Sequence, residues 1–159
     1  MVGEELIKAT GASVQYKVMY ACEKVACKQK WIDSVMHGRP GIDRACRPCV
    51  YCDICDMTTG AHCMVHDSRC DVPPVHMLVA GWSCKDLSRL SKDYGQKKNG
   101  NVLQEKRGSS GQTLDGLLRL LTDQPPPVYI GENVDEITDL QSENRQYLIA
   151  AFGDCGYYT

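Results

Sequence analysis

The sequence predicts an α/β domain, built as a mostly parallel sheet with flanking helices. Segments with strand and helix patterns alternate along the chain, and two of the strand-like segments are continuous apolar runs, VHMLVAG at 75–81 and VYIGENV at 128–134. Such runs are typical of central parallel strands, which are buried on both faces. Because ligands of open α/β sheets bind outside the carboxyl ends of the strands, we expect the functional residues at that edge.

The composition predicts one intracellular domain. The chain has 159 residues, 43% of them hydrophobic, with a formal net charge of −2, so contact with a nucleic acid would need a local basic patch. There is no signal-peptide pattern and no apolar run near the ~18 residues of a membrane helix, so no membrane partner is expected. We expect an intracellular location, nuclear if the source is eukaryotic. In such a reducing environment the ten cysteines would be thiols, metal ligands or a nucleophile.

The first half of the chain predicts a helix, a strand, a helix and then an irregular insert. GEELIKATGA (3–12) has early acidic residues and a late glycine, and YKVMYACE (16–23) is a compact β-prone run. KVACKQKWIDSVMH follows with helical spacing of its apolar residues. Between 38 and 74 the periodicity is lost, Gly and Pro enter, and six of the ten cysteines crowd together.

The second half predicts two strands and two helices. The run 75–81 leads into a turn that starts with glycine, AGWSCKDLS, followed by a polar and mostly basic segment. TLDGLLRLLTDQ predicts a helix with a buried face, which the prolines at 125–127 stop. After the run 128–134, SENRQYLIAAFGDCGY predicts a final helix that Ser142 could cap.

Three predicted strands end in a reactive or polar side chain, at Glu23, Cys84 and Glu132. We expect the fold to bring these three side chains to one rim of the sheet. A thiolate adds readily to an electron-poor carbon, and a nearby carboxylic acid can hold or protonate a ring nitrogen, so Cys84 and Glu132 suit each other. An acid that ends a second strand of a nucleotide-binding sheet accepts hydrogen bonds from ribose hydroxyls, which suits Glu23.

Three segments resemble motifs of the DNA cytosine-5 methyltransferases, in that family's order: VHMLVAGWSCKDLS, SSGQTLDGLL and PPPVYIGENVDEI. The resemblance implies a partial Rossmann-like catalytic domain over 1–159, with the insert at about 38–74, acting on DNA with S-adenosylmethionine. It implies that Cys84 adds to carbon 6 of a cytosine flipped out of the duplex, so that carbon 5 can accept the methyl group. Glu132 would bond N3 and the exocyclic amine, and Glu23 the ribose of the cofactor.

The resemblance also assigns residues around this pair. Asp53 of CDI, or less well Asp56, matches the acid that bonds the adenine amine of the cofactor. Ser83 stands where the family has a proline, Lys85 replaces a glutamine and could meet a phosphate, and Asn133 would hold its strand end. We place Ser83, Lys85 and Asn133 on the substrate side of the site.

Two motifs of the family have no counterpart in the sequence. They are the Phe-x-Gly-x-Gly turn that receives the methionine part of the cofactor and the Gln-x-Arg-x-Arg motif. We therefore expect little or no methyl transfer by this chain alone.

The Cys-rich insert supports a second interpretation, a non-catalytic metal-binding module. The first candidate ligands are four cysteines with two residues between each neighbouring pair: Cys46, Cys49, Cys52 and Cys55. Four thiolates complete a tetrahedral zinc site, although the run resembles an iron–sulfur pattern more closely. Further candidates in the insert are His62, Cys63, His66 and Cys70. If CVYCDIC is instead a strand, its thiols alternate between two faces and cannot share one site, which leaves reduced cysteines as the alternative.

The segment 85–107 is polar and mostly basic, although it also contains Asp86, Asp93 and Glu105. Its cations are Lys85, Arg89, Lys92, Lys97, Lys98, Lys106 and Arg107. These side chains could follow a DNA backbone and close over a flipped base as a lid. On composition alone, a solvated surface loop is an equal alternative.

Overall fold

The computed structural model describes residues 17–37, 47–87, 102–134 and 143–157, and in these segments the chain is mixed α/β. Its elements are, in chain order, β1 (Tyr20–Cys22), α1 (Ala26–His37), β2 (Cys49–Tyr51), a 3₁₀ helix (Ile54–Thr59), β3 (Ala61–Cys63), β4 (Ser68–Cys70), β5 (Met77–Gly81), α2 (Gly108–Asp123), β6 (Val128–Glu132) and α3 (Glu143–Asp154). The predicted helix at 3–12 lies outside the described residues. The longest described helix, α2, has 16 residues, and no described helix combines the length and apolarity needed to cross a bilayer.

The described strands form two small sheets. β1 pairs in parallel with β2, and β2, β3 and β4 continue that sheet as antiparallel neighbours. β5 and β6 form a separate parallel pair in which Met77 faces Val128 and Gly81 faces Glu132. The parallel pairing of the two apolar runs agrees with the expectation, whereas the single sheet does not, because β1 and β5 belong to different sheets.

The insert is more regular than its sequence indicates. It contains β2, the 3₁₀ helix and the β3–β4 hairpin, which turns at 64–67 with Asp67 in the left-handed region at φ 53°. Aspartate tolerates this conformation better than most residues. Strands of only three residues are too short for an alternating pattern to appear, so the sequence showed only the loss of periodicity.

Helix α2 joins two apolar cores. Its Leu120 packs with Val50, Met57 and neighbouring residues against the four-stranded sheet. The second core consists of Leu87, Leu103, Leu114, Leu117, Leu121, Leu148 and Phe152. Because α2 contributes leucines to both cores and also packs on the 3₁₀ helix, it fixes the insert relative to β5 and β6.

Only one face of the β5–β6 pair is buried by described residues. Leu78, Ala80 and Tyr129 contact the second core. The other face carries Met77, Val79, Val128 and Ile130, which are 48%, 58%, 49% and 42% exposed. Within the described residues, the two continuous apolar runs are therefore buried on one face only.

Candidate active site and a Cys/His cluster

Cys84 lies on a turn, residues 82–87, that directly follows β5. The Leu87 amide donates to the Cys84 carbonyl over 3.0 Å and closes the turn. Trp82 and Leu87, at its two ends, pack into the second core, and Cys84 is half-buried. Within the turn, the exposed Lys85 donates its amide to Ser83 Oγ over 3.4 Å. The structure thus places the cysteine just beyond the carboxyl end of a parallel strand.

Helix α2 holds this turn through side chains of its first two turns. The Ser83 amide donates to Thr113 Oγ1 and the Asp86 amide to Ser110 Oγ, each over 3.0 Å, while the Ser110 amide donates to Asp86 Oδ2 over 2.8 Å. Arg107, which precedes the helix, makes no side-chain cap. Asp86 therefore caps the helix from a distant segment, and its negative charge is favourable at a helix N-terminus.

This remote cap explains why α2 begins before the predicted helix. The sequence indicated a start at Thr113, whereas the helix begins at Gly108. Gly108 has φ 60°, a left-handed conformation that favours glycine, and a Cβ at this position would overlap the Asp86 carboxylate. The glycine therefore allows the approach of Asp86, which no local sequence pattern reveals.

Glu132 is the last residue of β6, the strand that pairs with β5. Its register partner is Gly81, three residues before Cys84 in the sequence. A Cβ built on Gly81 would lie 2.9 Å from both Oε2 and the carbonyl oxygen of Glu132, so the missing side chain leaves space for the carboxylate. Asn133 donates from Nδ2 to the Trp82 carbonyl over 3.0 Å and ties the end of β6 to the Cys84 turn.

Glu23 lies at the end of β1, in the other sheet. Its amide donates to the Tyr51 carbonyl over 3.0 Å, which continues the parallel pairing with β2. Its Oε1 accepts the Val25 amide over 2.8 Å just before α1, and Oε2 lies 3.9 Å from Lys28 Nζ. The expected single rim of Glu23, Cys84 and Glu132 is therefore divided between two sheets.

Asp53 follows the neighbouring strand β2 and caps the 3₁₀ helix. Its Oδ1 accepts the Cys55 amide over 3.0 Å, and its Oδ2 accepts a hydrogen bond from Lys24 Nζ over 2.7 Å. The other candidate, Asp56, is exposed in the first turn of that helix. Glu23 and Asp53 thus share the carboxyl edge of the β1–β2 pair, as expected for two acids that end adjacent parallel strands.

Two thiols beside this edge have raised pKa values. Burial raises the pKa of Cys22 to about 12, with further contributions from Asp53 and Cys52. Burial, followed by the hydrogen bond with Asp53, raises the pKa of Cys55. Because the thiolate is the nucleophilic form of cysteine, these two protonated thiols are poor nucleophiles at neutral pH.

Four side chains of the insert meet in a compact cluster. The Sγ atoms of Cys49, Cys63 and Cys70 lie 3.5, 3.4 and 3.4 Å from Nδ1 of His66. The four atoms all lie within 4.8 Å of one another, and this group could hold a metal ion. Cys63 is buried and the other three are half-buried. The pKa of Cys49 is raised to about 12, chiefly by its burial.

Of the three first-choice ligands that the structure describes, Cys49 belongs to this cluster, whereas Cys52 and Cys55 do not. Cys46 lies outside the described residues. Cys52 follows β2, where its amide donates to the His62 carbonyl over 3.1 Å, and Cys55 lies in the 3₁₀ helix with Sγ 3.6 Å from the Gln112 carbonyl. The backbone changes from strand to 3₁₀ helix across this run, so cysteines three positions apart do not all face the same way.

The other three members of the cluster were further candidates in the sequence. Their spacing, Cys63-x-x-His66-x-x-x-Cys70, is the local signal in the sequence for these three members. The distant Cys49 is joined to them only by strand pairing, which the sequence did not reveal. The nine cysteines in the described segments are all free of disulfides.

Two of the predicted DNA-contacting cations form ion pairs within the chain. Lys106 Nζ lies 2.7 Å from Asp115 Oδ1, and Arg107 pairs with Glu105. Residues 88–101 lie outside the described segments, so the remainder of the proposed lid is not placed. Lys85 is exposed on the Cys84 turn.

Comparisons with known proteins assign no family: no family model and no curated protein matches the chain at a significant level. The function is therefore inferred from the residues of these two sites.

Proposed function

We propose that this chain carries the nucleophile and the acid of an enzyme that transfers a methyl group from S-adenosylmethionine to carbon 5 of cytosine in DNA. One observation supports this most strongly: β5 and β6 pair in parallel, Glu132 is the last residue of β6 with Gly81 directly opposite, and Cys84 follows Gly81 by three residues at the same end. Two distant segments thereby meet at the edge where α/β sheets bind their ligands. The resemblance of the flanking motifs to the cytosine-5 methyltransferases gives this pair its substrate.

Cys84 and Glu132 perform complementary steps in this proposal. The Cys84 thiolate forms a bond to carbon 6 of the flipped cytosine, which makes carbon 5 nucleophilic. Glu132, as the carboxylic acid, donates its proton to N3 and accepts a hydrogen bond from the exocyclic amine, so the negative charge that develops in the ring is stabilised. After carbon 5 has accepted the methyl group, a base removes its proton, the C5–C6 double bond re-forms and the Sγ–C6 bond breaks, which releases the Cys84 thiolate.

The surrounding residues fix this pair in position. Asn133 links the end of β6 to Trp82, while Ser110 and Thr113 of α2 hold the two sides of the turn. Such support matters because small displacements of a reacting group reduce catalysis strongly. Ser83 stands at the family's proline position, and its backbone amide is held by Thr113 of α2.

The acids of the other sheet suit the nucleoside part of the cofactor. S-adenosylmethionine supplies an electrophilic methyl group when bound. Glu23 would hold its ribose and Asp53 its adenine amine, since both acids follow adjacent parallel strands. Glu23 Oε2 lies 3.9 Å from Lys28 Nζ, whereas Asp53 Oδ2 pairs with Lys24 Nζ over 2.7 Å. Binding at Asp53 would therefore require Lys24 to move from its present contact.

Covalent trapping tests the catalytic pair without the cofactor. A single-stranded oligonucleotide with one 5-azacytosine presents an unpaired ring whose carbon 6 accepts a thiolate, so neither base flipping nor methyl transfer is needed. We expect an oligonucleotide adduct on the peptide that contains Cys84, measured by mass spectrometry. Cys84→Ala should abolish it, and Glu132→Gln should slow its formation by about 100-fold or more.

Cys27→Ala is the matched control, because Cys27 is exposed on α1. It should form the adduct at the rate of the unmodified chain. An unmodified chain that forms no adduct, or a Cys84→Ala variant that forms it equally fast, would refute the proposal. The rival metal-binding interpretation makes no prediction of an adduct at Cys84.

A further inference from the structure

We propose that Cys49, Cys63, His66 and Cys70 bind one zinc ion, which holds β2 to the β3–β4 hairpin. Three of the four ligands differ from the Cys-x-x-Cys series that the sequence favours. The site goes beyond the proposed methyl transfer and does not depend on it.

The distances from His66 to the three cysteines match those of a tetrahedral zinc site. With Zn–S near 2.3 Å and Zn–N near 2.05 Å, tetrahedral angles place a ligand nitrogen about 3.6 Å from each sulfur and the sulfurs about 3.8 Å apart. The observed separations between His66 Nδ1 and the three Sγ atoms are 3.4–3.5 Å. The 4.8 Å limit on all pairs leaves room for a single ion.

The ligand types favour zinc over other metals. Three thiolates and one imidazole form a soft set, and the combination of three Cys and one His is a regular composition of structural zinc sites. An iron–sulfur cluster places several iron and sulfide atoms between its cysteines, so it does not suit four ligand atoms this close together. Four protein ligands also complete the tetrahedron, which makes the role structural rather than catalytic.

Strand pairing brings the ligands together from separate parts of the insert. Tyr51 pairs with Cys63, and the Met64 amide donates to the Val50 carbonyl over 3.0 Å, so Cys49 lies beside the hairpin. Within the hairpin, Cys63 pairs with Ser68, and Cys70 lies two residues further along β4, so the two cysteines lie on the same face of the hairpin. His66, in the turn, contacts both of them. These strands have only three residues each, so a shared ion would add stability that so few ladder hydrogen bonds do not supply.

Metal content of the purified chain tests the site directly. We expect one zinc per chain by elemental mass spectrometry, lost in Cys70→Ser and retained in His66→Cys, which replaces one zinc ligand by another. Cys52→Ser and Cys55→Ser are matched controls from the same insert and should keep full zinc content. Absence of zinc, iron with acid-labile sulfide, or equal loss in Cys52→Ser and Cys70→Ser would overturn the proposal.

Cobalt substitution keeps the proposal testable if Cys70→Ser does not fold. In the unmodified chain, Co²⁺ should give the visible bands of a tetrahedral site and a thiolate charge-transfer band, both displaced by zinc. A spectrum of octahedral cobalt without thiolate ligation would overturn the assignment. Because this readout needs no DNA or methyl donor, its failure is distinguishable from failure of the Cys84 adduct.

Discussion

At the scale of single residues, Gly81 has the most demanding position near the proposed catalytic pair. Its backbone faces Glu132 across the parallel pair, and a Cβ would lie 2.9 Å from two oxygens of that residue. One of these is a backbone carbonyl, which cannot rotate away as a side chain can. Any side chain at this position must therefore separate the strands or displace the carboxylate.

We predict that Gly81→Ala destabilises the chain by about 1–3 kcal/mol, as overpacking does, and slows adduct formation at Cys84. Chemical denaturation and the trapping rate measure the two effects. Gly153→Ala is the matched control: Gly153 lies in α3, a Cβ there would meet nothing within 4 Å, and alanine favours helix, so stability should rise by about 0.4–1 kcal/mol. Equal effects of the two substitutions would contradict the close approach at Gly81.

Asp53 gives the chain an acid-sensitive contact. Burial by itself would raise the pKa of Asp53, but hydrogen bonds from Lys24 and from the Cys55 amide outweigh it and lower the pKa below its usual range. Because the folded pKa is the lower one, the contact stabilises the fold above the unfolded pKa of about 3.9 and is lost as pH falls through the folded pKa.

We therefore expect Asp53→Asn to make stability less dependent on pH below about pH 5. Urea denaturation at several pH values, relative to the unmodified chain, measures this change. The same substitution at Asp123, which is exposed at the end of α2, serves as the control. If Asp53→Asn leaves the slope of stability against pH unchanged, the contact does not lower the Asp53 pKa in solution.

At the scale of elements, the start of α2 and the Cys84 turn depend on each other. Asp86 and Ser110 exchange two hydrogen bonds, and Leu87 continues from the turn into the core that α2 builds. The helix therefore gains its cap from the turn, and the turn gains its position from the helix. The proposed nucleophile is held by this pair of elements rather than by β5 alone.

We predict that Asp86→Ala costs about 1 kcal/mol of unfolding free energy, the usual loss for an N-cap, and slows trapping at Cys84. Thermal or chemical denaturation gives the first value and the adduct rate the second. Asp123→Ala removes a carboxylate from the opposite end of the same helix, where a negative charge is unfavourable, so it should be neutral or slightly stabilising. Unchanged stability and trapping in Asp86→Ala would contradict the remote cap.

At the scale of the whole molecule, the two cores of the described residues meet at α2, and Ile54 and Leu78 also pack against both. α2 contributes Leu120 to the core of the insert and Leu114, Leu117 and Leu121 to the core beneath β5 and β6. The insert has short strands and a cluster suited to zinc, whereas the second core relies on leucines and Phe152. Loss of a metal should therefore weaken the first core before the second.

We predict that a strong chelator lowers the thermal midpoint and that amides of 49–70 lose hydrogen-exchange protection before those of β5 and β6. Zinc binding to structural sites in small peptides is worth about 10–16 kcal/mol and is coupled to folding. Added zinc should restore protection, while magnesium, which prefers oxygen ligands, should not. Uniform loss of protection across both cores would contradict a local role for the metal.

The sequence by itself determined most of the described helices and strands, and the order in which Glu23, Cys84 and Glu132 follow them along the chain. The helix that includes Trp31, the run that leads to Cys84 and the run that ends at Glu132 all appear as elements near their expected bounds. Local periodicity suffices for these because each has enough residues to show an apolar pattern. The same local reading missed β3 and β4, which are too short to show one.

Only the tertiary structure decided which distant residues meet. The register of β5 with β6 places Glu132 opposite Gly81, the remote cap joins Asp86 to α2, and strand pairing adds Cys49 to the hairpin ligands. It also divided the expected rim, since β1 and β5 lie in separate sheets. These contacts arise from pairing and packing between segments far apart in the chain, and spacing along one segment carries no information about them.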